Sequence, residues 1–310
     1  MTLQRRKRGF RNRLYSNVKL YLDDMFVARG YYDNIASGEQ NFDGTNLSQL
    51  FPVQNDEWYP QDSGTTVHVW QGYRKNWVSE SGVTYFASGL TAPTLASGVY
   101  VDGVFHGRRT PNNTDGISMD FRNGRVILES GVAASSTLEI AYSVKEVWVD
   151  TIARDMVTNQ VTVIDNTKRI AVSNVPSGQI GNLPMILMDI SSQQPTYGLE
   201  LGGGKVINPS MFLHVVAENR YDKDEIVDAL VLRQFKTITM VDLDTAPAQF
   251  NYYGDYESTY AAYGTLTSTY RDRYAYIENV SLISNDDIAQ EGYYTALLRF
   301  DFRLDITEEV

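Results

Sequence analysis

Leu297-Leu298-Arg299-Phe300-Asp301-Phe302-Arg303-Leu304-Asp305-Ile306 alternates without a break. Successive side chains of a strand point to opposite faces, so Phe300, Phe302, Leu304 and Ile306 share one side and Arg299, Asp301, Arg303 and Asp305 the other. One face belongs to a core, and the other meets water or a partner. Upstream, Ile277 to Ile283 reads as a second strand, joined to the first around an acidic turn at Asn285-Asp286-Asp287. Met211 to Ala217 is apolar on both faces and reads as an inner strand. Asp222, three residues before Glu225, has capping-box spacing. It opens a helix with Ile226, Val227, Leu230, Val231 and Phe235 on one side, and a strand with Ile238, Met240 and Val241 follows. Strand, helix and three strands predict an α+β unit with a helix packed on one sheet.

The middle of the chain has a different rhythm. Val67-His68-Val69-Trp70 and Trp77-Val78 are short apolar runs between polar turns, and Val99-Tyr100-Val101 ends at the turn dipeptide Asp102-Gly103. Ile117 to Phe121 and Val126 to Leu128 flank Asn123-Gly124, the strongest hairpin signal in the sequence. Leu138 to Tyr142 adds another alternating strand, which Val147-Trp148-Val149 extends. Turn signals every 8 to 12 residues with no helical period predict an antiparallel sandwich-like domain over 62–150. The remaining units are then 1–61, a basic arm with an irregular connection, and 151–310, the α+β domain, against which the N-terminal segment can pack. Within 1–61, Leu14, Val18, Tyr21, Leu22 and Met25 recur at helical spacing. The same stretch also reads as two strands around Asp23-Asp24.

Composition narrows the function. The 310 residues include no Cys and three His (His68, His106, His214), leaving no thiol chemistry and little material for a metal centre. The net charge is −11, yet Arg5, Arg6, Lys7, Arg8, Arg11 and Arg13 crowd the start. Removing these six from 27 basic residues leaves 21 against 38 acidic ones, a body near −17 that does not coat nucleic acid. No apolar run suits a signal peptide or a membrane span, so a soluble protein made in the cytoplasm is expected.

Motifs for chemistry are weak. Gly202-Gly203-Gly204-Lys205 lacks the first Gly of a phosphate loop, because Leu199 stands there, and Val206 replaces the magnesium-binding hydroxyl. Asp242-Leu243-Asp244 is a single carboxylate pair, and His214 sits on a buried-looking strand. No catalytic residue, cofactor or metal is expected. A long connection, 244–276, carries Tyr252, Tyr253, Tyr256, Tyr260, Tyr263, Tyr270, Tyr274 and Tyr276. Tyrosine gives a large rigid contact area with a polar tip, which suits an interface. This loop and the row Arg299, Asp301, Arg303, Asp305 are the candidate contact patches.

The run Met211 to Ala217, then Arg220-Tyr221-Asp222-Lys223-Asp224, then a helix and a strand, resembles the tail terminator and neck proteins of tailed bacteriophages. The ending through Arg299-Phe300-Asp301-Phe302-Arg303-Leu304 is similar to that family's paired final strands. The resemblance covers roughly 205–306. The middle β unit, with Val99 to Val104 and Asn123-Gly124-Arg125-Val126-Ile127, is similar to strand-turn-strand segments of virion structural proteins. The family carries no catalytic residues. What the resemblance implies is a homo-oligomeric ring, typically a hexamer, at the virion neck. Such a ring caps the tail tube and sheath, docks the head-completion or connector protein, and lets DNA pass without specific binding. The implied location is the virion, assembled in the host cytoplasm. The competing reading is a baseplate- or fibre-associated protein whose β domain binds protein, or glycan through Trp70, Trp77 and Trp148.

Overall fold

The computed structural model describes residues 10–34, 47–53, 66–72, 74–80, 82–86, 89–108, 117–151, 183–190, 196–198, 205–246, 263–290 and 293–306. The chain is rich in β structure, with three helices among the described residues.

Helix α1 (Phe10–Arg29) settles the helix-or-hairpin question in favour of the helix. Leu14, Val18, Leu22, Met25 and Phe26 bury on one side of it, Leu20 enters a second core, and Val27 and Ala28 a third. A helix enclosed on several sides needs interior partners for its polar residues. Asn17 supplies them: Val241 N–H donates to its Oδ1 at 2.6 Å, and its Nδ2 donates to Arg13 O and Val241 O. The helix stops at Gly30, whose φ of +93° costs glycine little. Tyr31 N–H reaches back to Phe26 O and Gly30 N–H to Val27 O, closing a Schellman motif under the Phe26–Tyr31 ring contact.

After β1 (Tyr32–Asn34) come the strands of the first large sheet: β2 (Ser48–Pro52), β3 (Thr66–Gln71), β4 (Gly98–Val101), β5 (Val104–Gly107), β6 (Ser118–Asp120), β7 (Arg125–Ala133) and β8 (Leu138–Ile140). They form one seven-stranded antiparallel sheet in the order β5-β4-β8-β2-β3-β7-β6. Strand β2 turns a corner, pairing β8 through Ser48–Leu50 and β3 through Phe51 and Pro52. At the far side Arg108 bridges Ile117, which brings the two ends of the sheet together. The β unit is therefore a single sheet curled over its core. It starts at β2, within the stretch read as an irregular connection. Trp77 makes an isolated bridge to Val144 and lies in no strand. Asn123-Gly124 closes the β6–β7 hairpin within a four-residue connection, with only Gly124 at positive φ, while Asp102 and Gly103 are both left-handed at the β4–β5 tip.

Strand β9 (Ser143–Lys145) pairs with β1. Strand β10 (Trp148–Thr151) leaves the curled unit and pairs in parallel with β11 (Met185–Ile190). The second large sheet continues with β12 (Thr196–Gly198), β13 (Lys205–Ile207), β14 (Ser210–Ala217), β15 (Thr237–Val241), β16 (Arg271–Gln290) and β17 (Tyr293–Ile306). Strand β17 is its spine: β14 and then β13 pair along one edge, β16 along the other, and β15 flanks β16. Helix α1 and helix α2 (Arg220–Val231) cover one face, burying Phe300, Phe302, Leu304, Leu213 and Ile226. A short α3 (Tyr263–Thr269) precedes β16.

Several local expectations change. The cap of α2 is Asn219, whose Oδ1 accepts from Asp222 N at 2.8 Å, so Asp222 is the reciprocal partner three residues inside. Val231 and Phe235 leave the buried stripe: the helix ends at Val231, and Phe235 is 65% exposed at φ +62°. Asn285 to Asp287 lie inside β16, because the β16–β17 ladder runs on to Gln290 and Tyr293.

Candidate functional site

The outer face of the second sheet, opposite the helices, carries exposed charged and aromatic side chains. Arg299 and Arg303 project from β17 with Asp301 and Asp305 between and beyond them. Arg299 Nε donates to Asp301 Oδ1 at 2.8 Å, and Arg303 Nε to Asp305 Oδ1 at 3.3 Å. Asp301 also accepts from Ser210 Oγ at 2.6 Å and from Asn279. The expected row is thus a set of Arg–Asp pairs running along one strand, not free charges of alternating sign. The Arg299 and Arg303 side chains stay about half exposed, at 47% and 48%.

Register then adds what the sequence reading assigned to a loop. Tyr276 lies directly opposite Arg303. Tyr274, one pleat further along β16, accepts from Arg271 Nη1 at 2.9 Å under a guanidinium 5.6 Å from its ring. Tyr274 and Tyr276 are exposed while Ala275 and Ile277 between and beside them are buried. That alternation was the available signal for a strand. Arginine and tyrosine standing together on an open sheet face have the composition of a protein contact surface.

Other predicted contact residues lie elsewhere. Tyr252, Tyr253, Tyr256 and Tyr260 fall outside the described residues, as do Arg5, Arg6, Lys7 and Arg8. Arg11 is in α1, with its side chain outside that description. Tyr263 packs on its own chain: its hydroxyl donates to Thr239 O at 2.5 Å, and its ring meets Tyr21 edge-on at 5.6 Å. Burial and the neighbouring Tyr21 push that phenol above its ordinary pKa. Arg13 is likewise anchored, at 2.5 Å from Asp244 and 3.6 Å from Asp272, tying α1 to the turn after β15 and to the start of β16.

A second constellation is interior. Lys145 Nζ stands 2.5 Å from Glu80 Oε1 and 3.4 Å from Asp23 Oδ2, and all three side chains are buried. Ser79 N–H donates to the other Glu80 oxygen. Asn76, left-handed at φ +62°, directs its amide to the carbonyls of Lys145 and Val147. Burial raises the Asp23 carboxyl, against the pull of Lys145 and Lys19. Asp24 is pushed to about 6 by burial and by Glu80, and its Oδ1 is buried without a hydrogen-bond partner. The cluster joins α1, the 74–80 segment and β9, which makes it a clasp between the two β units.

The remaining candidates have structural surroundings. Trp70 and Trp77 are each 1% exposed, and Trp77 stacks 4.3 Å from Tyr142, so neither presents a face to a glycan. Trp148 is half-buried beside Arg122. Asp242 accepts from Thr245 Oγ1 and Asp244 N–H; burial pushes its pKa upward, but these bonds hold it below the ordinary value. The His214 pKa is lowered by burial. Among the described residues no group of three or more His, Asp or Glu is placed to hold a metal, and no helix is long and apolar enough to cross a membrane. Gly202 to Gly204 lie outside the described residues, and Lys205 opens β13. No family model matches the chain, and no curated protein matches its sequence.

Proposed function

We propose that this chain is a structural virion protein of a tailed phage, acting at the neck as a ring, typically a hexamer, that terminates the tail tube and sheath and docks the head connector. The reading rests on the resemblance over 205–306. The observation that supports it best is the two-sided C-terminal sheet, with helices on one face and an uncovered Arg/Tyr row on the other. Its action is docking rather than catalysis, with no cofactor. An acidic body suits a ring that lets DNA pass without holding it. The finer fold assignment, a sandwich-like domain joined to a terminator-like domain, belongs to this same proposal.

Electron microscopy of virions labelled with antibody to this chain tests the reading. Label at the head–tail junction is expected, and label confined to the baseplate or fibres would overturn it. That second outcome would favour a binding module. One observation supports it: Val104 and Phe105 on β5 are 60% and 50% exposed beside the left-handed Asp102-Gly103 tip. An exposed apolar edge of this kind suits a protein ligand better than a glycan.

A further inference from the structure

Lys145 and Lys223 are both buried, but their carboxyl neighbours differ. Lys223 Nζ stands 3.3 Å from Asp224 Oδ1, on a side chain 44% exposed that water solvates. Lys145 Nζ lies 2.5 Å from Glu80 Oε1 and 3.4 Å from Asp23 Oδ2, and the side chains of Lys145, Glu80 and Asp23 are 7%, 3% and 7% exposed. An amine held between two carboxyl groups, all three out of water, is the reactant set of an amide bond.

In water an amine and a carboxylic acid do not condense unaided: both are ionised, they seldom meet, and bulk water opposes the loss of another water. The interior changes each of these conditions. Burial raises the Asp23 carboxyl and Glu80 adds to the shift, against the pull of Lys145 and Lys19, which favours the neutral acid that an amine can attack. Helix α1 holds Asp23 and strand β9 holds Lys145, so a chance encounter is replaced by a fixed one. Glu80 is positioned in turn, because Ser79 N–H donates to its Oε2 at 3.1 Å while Oε1 accepts from Lys145 Nζ. The segments carrying the two carboxyl groups also meet through Val27 and Val78, both wholly buried in one apolar cluster.

We propose that the clasp seals itself: Lys145 Nζ and Asp23 Cγ join in an intramolecular isopeptide bond, with Glu80 carrying the proton. An N–C bond forms and the C–OH bond of Asp23 breaks. Of the three ammonium protons, one leaves with that hydroxyl as water, one stays on the amide nitrogen and one ends on Glu80. No oxidant, metal or second substrate takes part. A buried cation and a buried anion give way to a neutral amide and a neutral acid, which removes the desolvation cost of the charges. The ion pair docks α1 on folding, and the amide then fixes it to β9, close to where β10 carries the chain into the second sheet. In a chain without Cys, this tie forms without oxidation. It is independent of the neck reading.

Peptide mapping of the purified full chain by mass spectrometry tests the bond. Trypsin should release a branched peptide, one water lighter than its two parts, that joins residues 20–29 to a segment in which Lys145 is uncut. Fragmentation should place the branch at Asp23 rather than Asp24. Lys145→Arg keeps the cation but offers no amine, and Glu80→Gln keeps the shape but cannot carry the proton, so neither should give the branched peptide. Circular dichroism checks that each is folded, and the unaltered chain decides whether the bond exists even if a variant does not fold. Lower stability in Lys145→Met is expected of an ion pair and of an amide alike, whereas the missing water belongs to the amide alone. Folded, unaltered protein that yields peptide 20–29 unbranched and Lys145 fully cleaved after prolonged incubation would overturn the proposal, as would a branch at any other residue. A branched peptide undiminished in folded Glu80→Gln protein would overturn the role given to Glu80.

Discussion

Two of the ordered charge groups, the interior clasp and the outer row of β17, have opposite settings. In the clasp, Lys145, Glu80 and Asp23 are stripped of water, so each charge depends on its partners. On the outer face of β17, the Arg–Asp pairs are open to solvent, where each contributes about 0 to 1 kcal/mol to stability. The difference separates a role in folding from a role in assembly. Interior charges fix how α1 joins the β units, while exposed ones, nearly neutral for the monomer, remain available to a partner.

Breaking the clasp should have the largest effect. Lys145→Met leaves two carboxylates buried without their cation and is expected to destabilise the chain by about 3–5 kcal/mol. Urea unfolding followed by circular dichroism measures this, and a loss below about 1 kcal/mol would mean that the interior pairs behave like surface ones.

An intermediate effect comes from Asp24, whose carboxyl burial and then Glu80 push up to about 6 from its ordinary 3.8. A raised acid is a folded-state penalty, present when the group is charged above about 6 and gone once it is protonated in both states below 3.8. Asp24→Asn should therefore stabilise the protein at pH 8 by about 1–2 kcal/mol, after allowing for partial exposure, with the gain vanishing below pH 4. Melting temperatures across that range check both sign and window. A gain that persists at low pH would assign the effect to something other than charge.

The smallest effect belongs to the outer row. Arg299→Ala and Arg303→Ala should each leave monomer stability within about 0.5 kcal/mol of the parent. A matching change in assembly is what distinguishes an interface from a merely solvated face.

How much of this was legible in sequence depended on whether the cause was local. The two faces of β17 follow from unbroken alternation, and α2 from its apolar spacing. Its cap was displaced because Asn219 and Asp222 both suit the role, and only the backbone shows which residue stands outside the helix. Helix α1 gave an ambiguous pattern because Asn17 and Asp23 are buried polar residues, satisfied by Val241 and Lys145 far along the chain. Strand β10 looked like a continuation of the curled sheet because nothing in Trp148-Val149-Asp150 encodes a parallel partner at 185–188. Tyr274 and Tyr276 were absorbed into a tyrosine-rich loop, although the buried Ala275 and Ile277 gave them a strand period. The clasp was illegible, since Asp23, Glu80 and Lys145 meet only through tertiary packing.

The most direct test of the separation between interior and exterior charge is a side-chain-resolution cryo-electron microscopy reconstruction of the assembled protein. The account predicts that the face carrying Tyr274, Tyr276, Arg299 and Arg303 is covered by a neighbouring subunit, with the Lys145–Glu80–Asp23 cluster intact inside each copy. An assembly in which that face is open to solvent, and subunits meet through the Val104–Phe105 edge of the curled sheet instead, would contradict it.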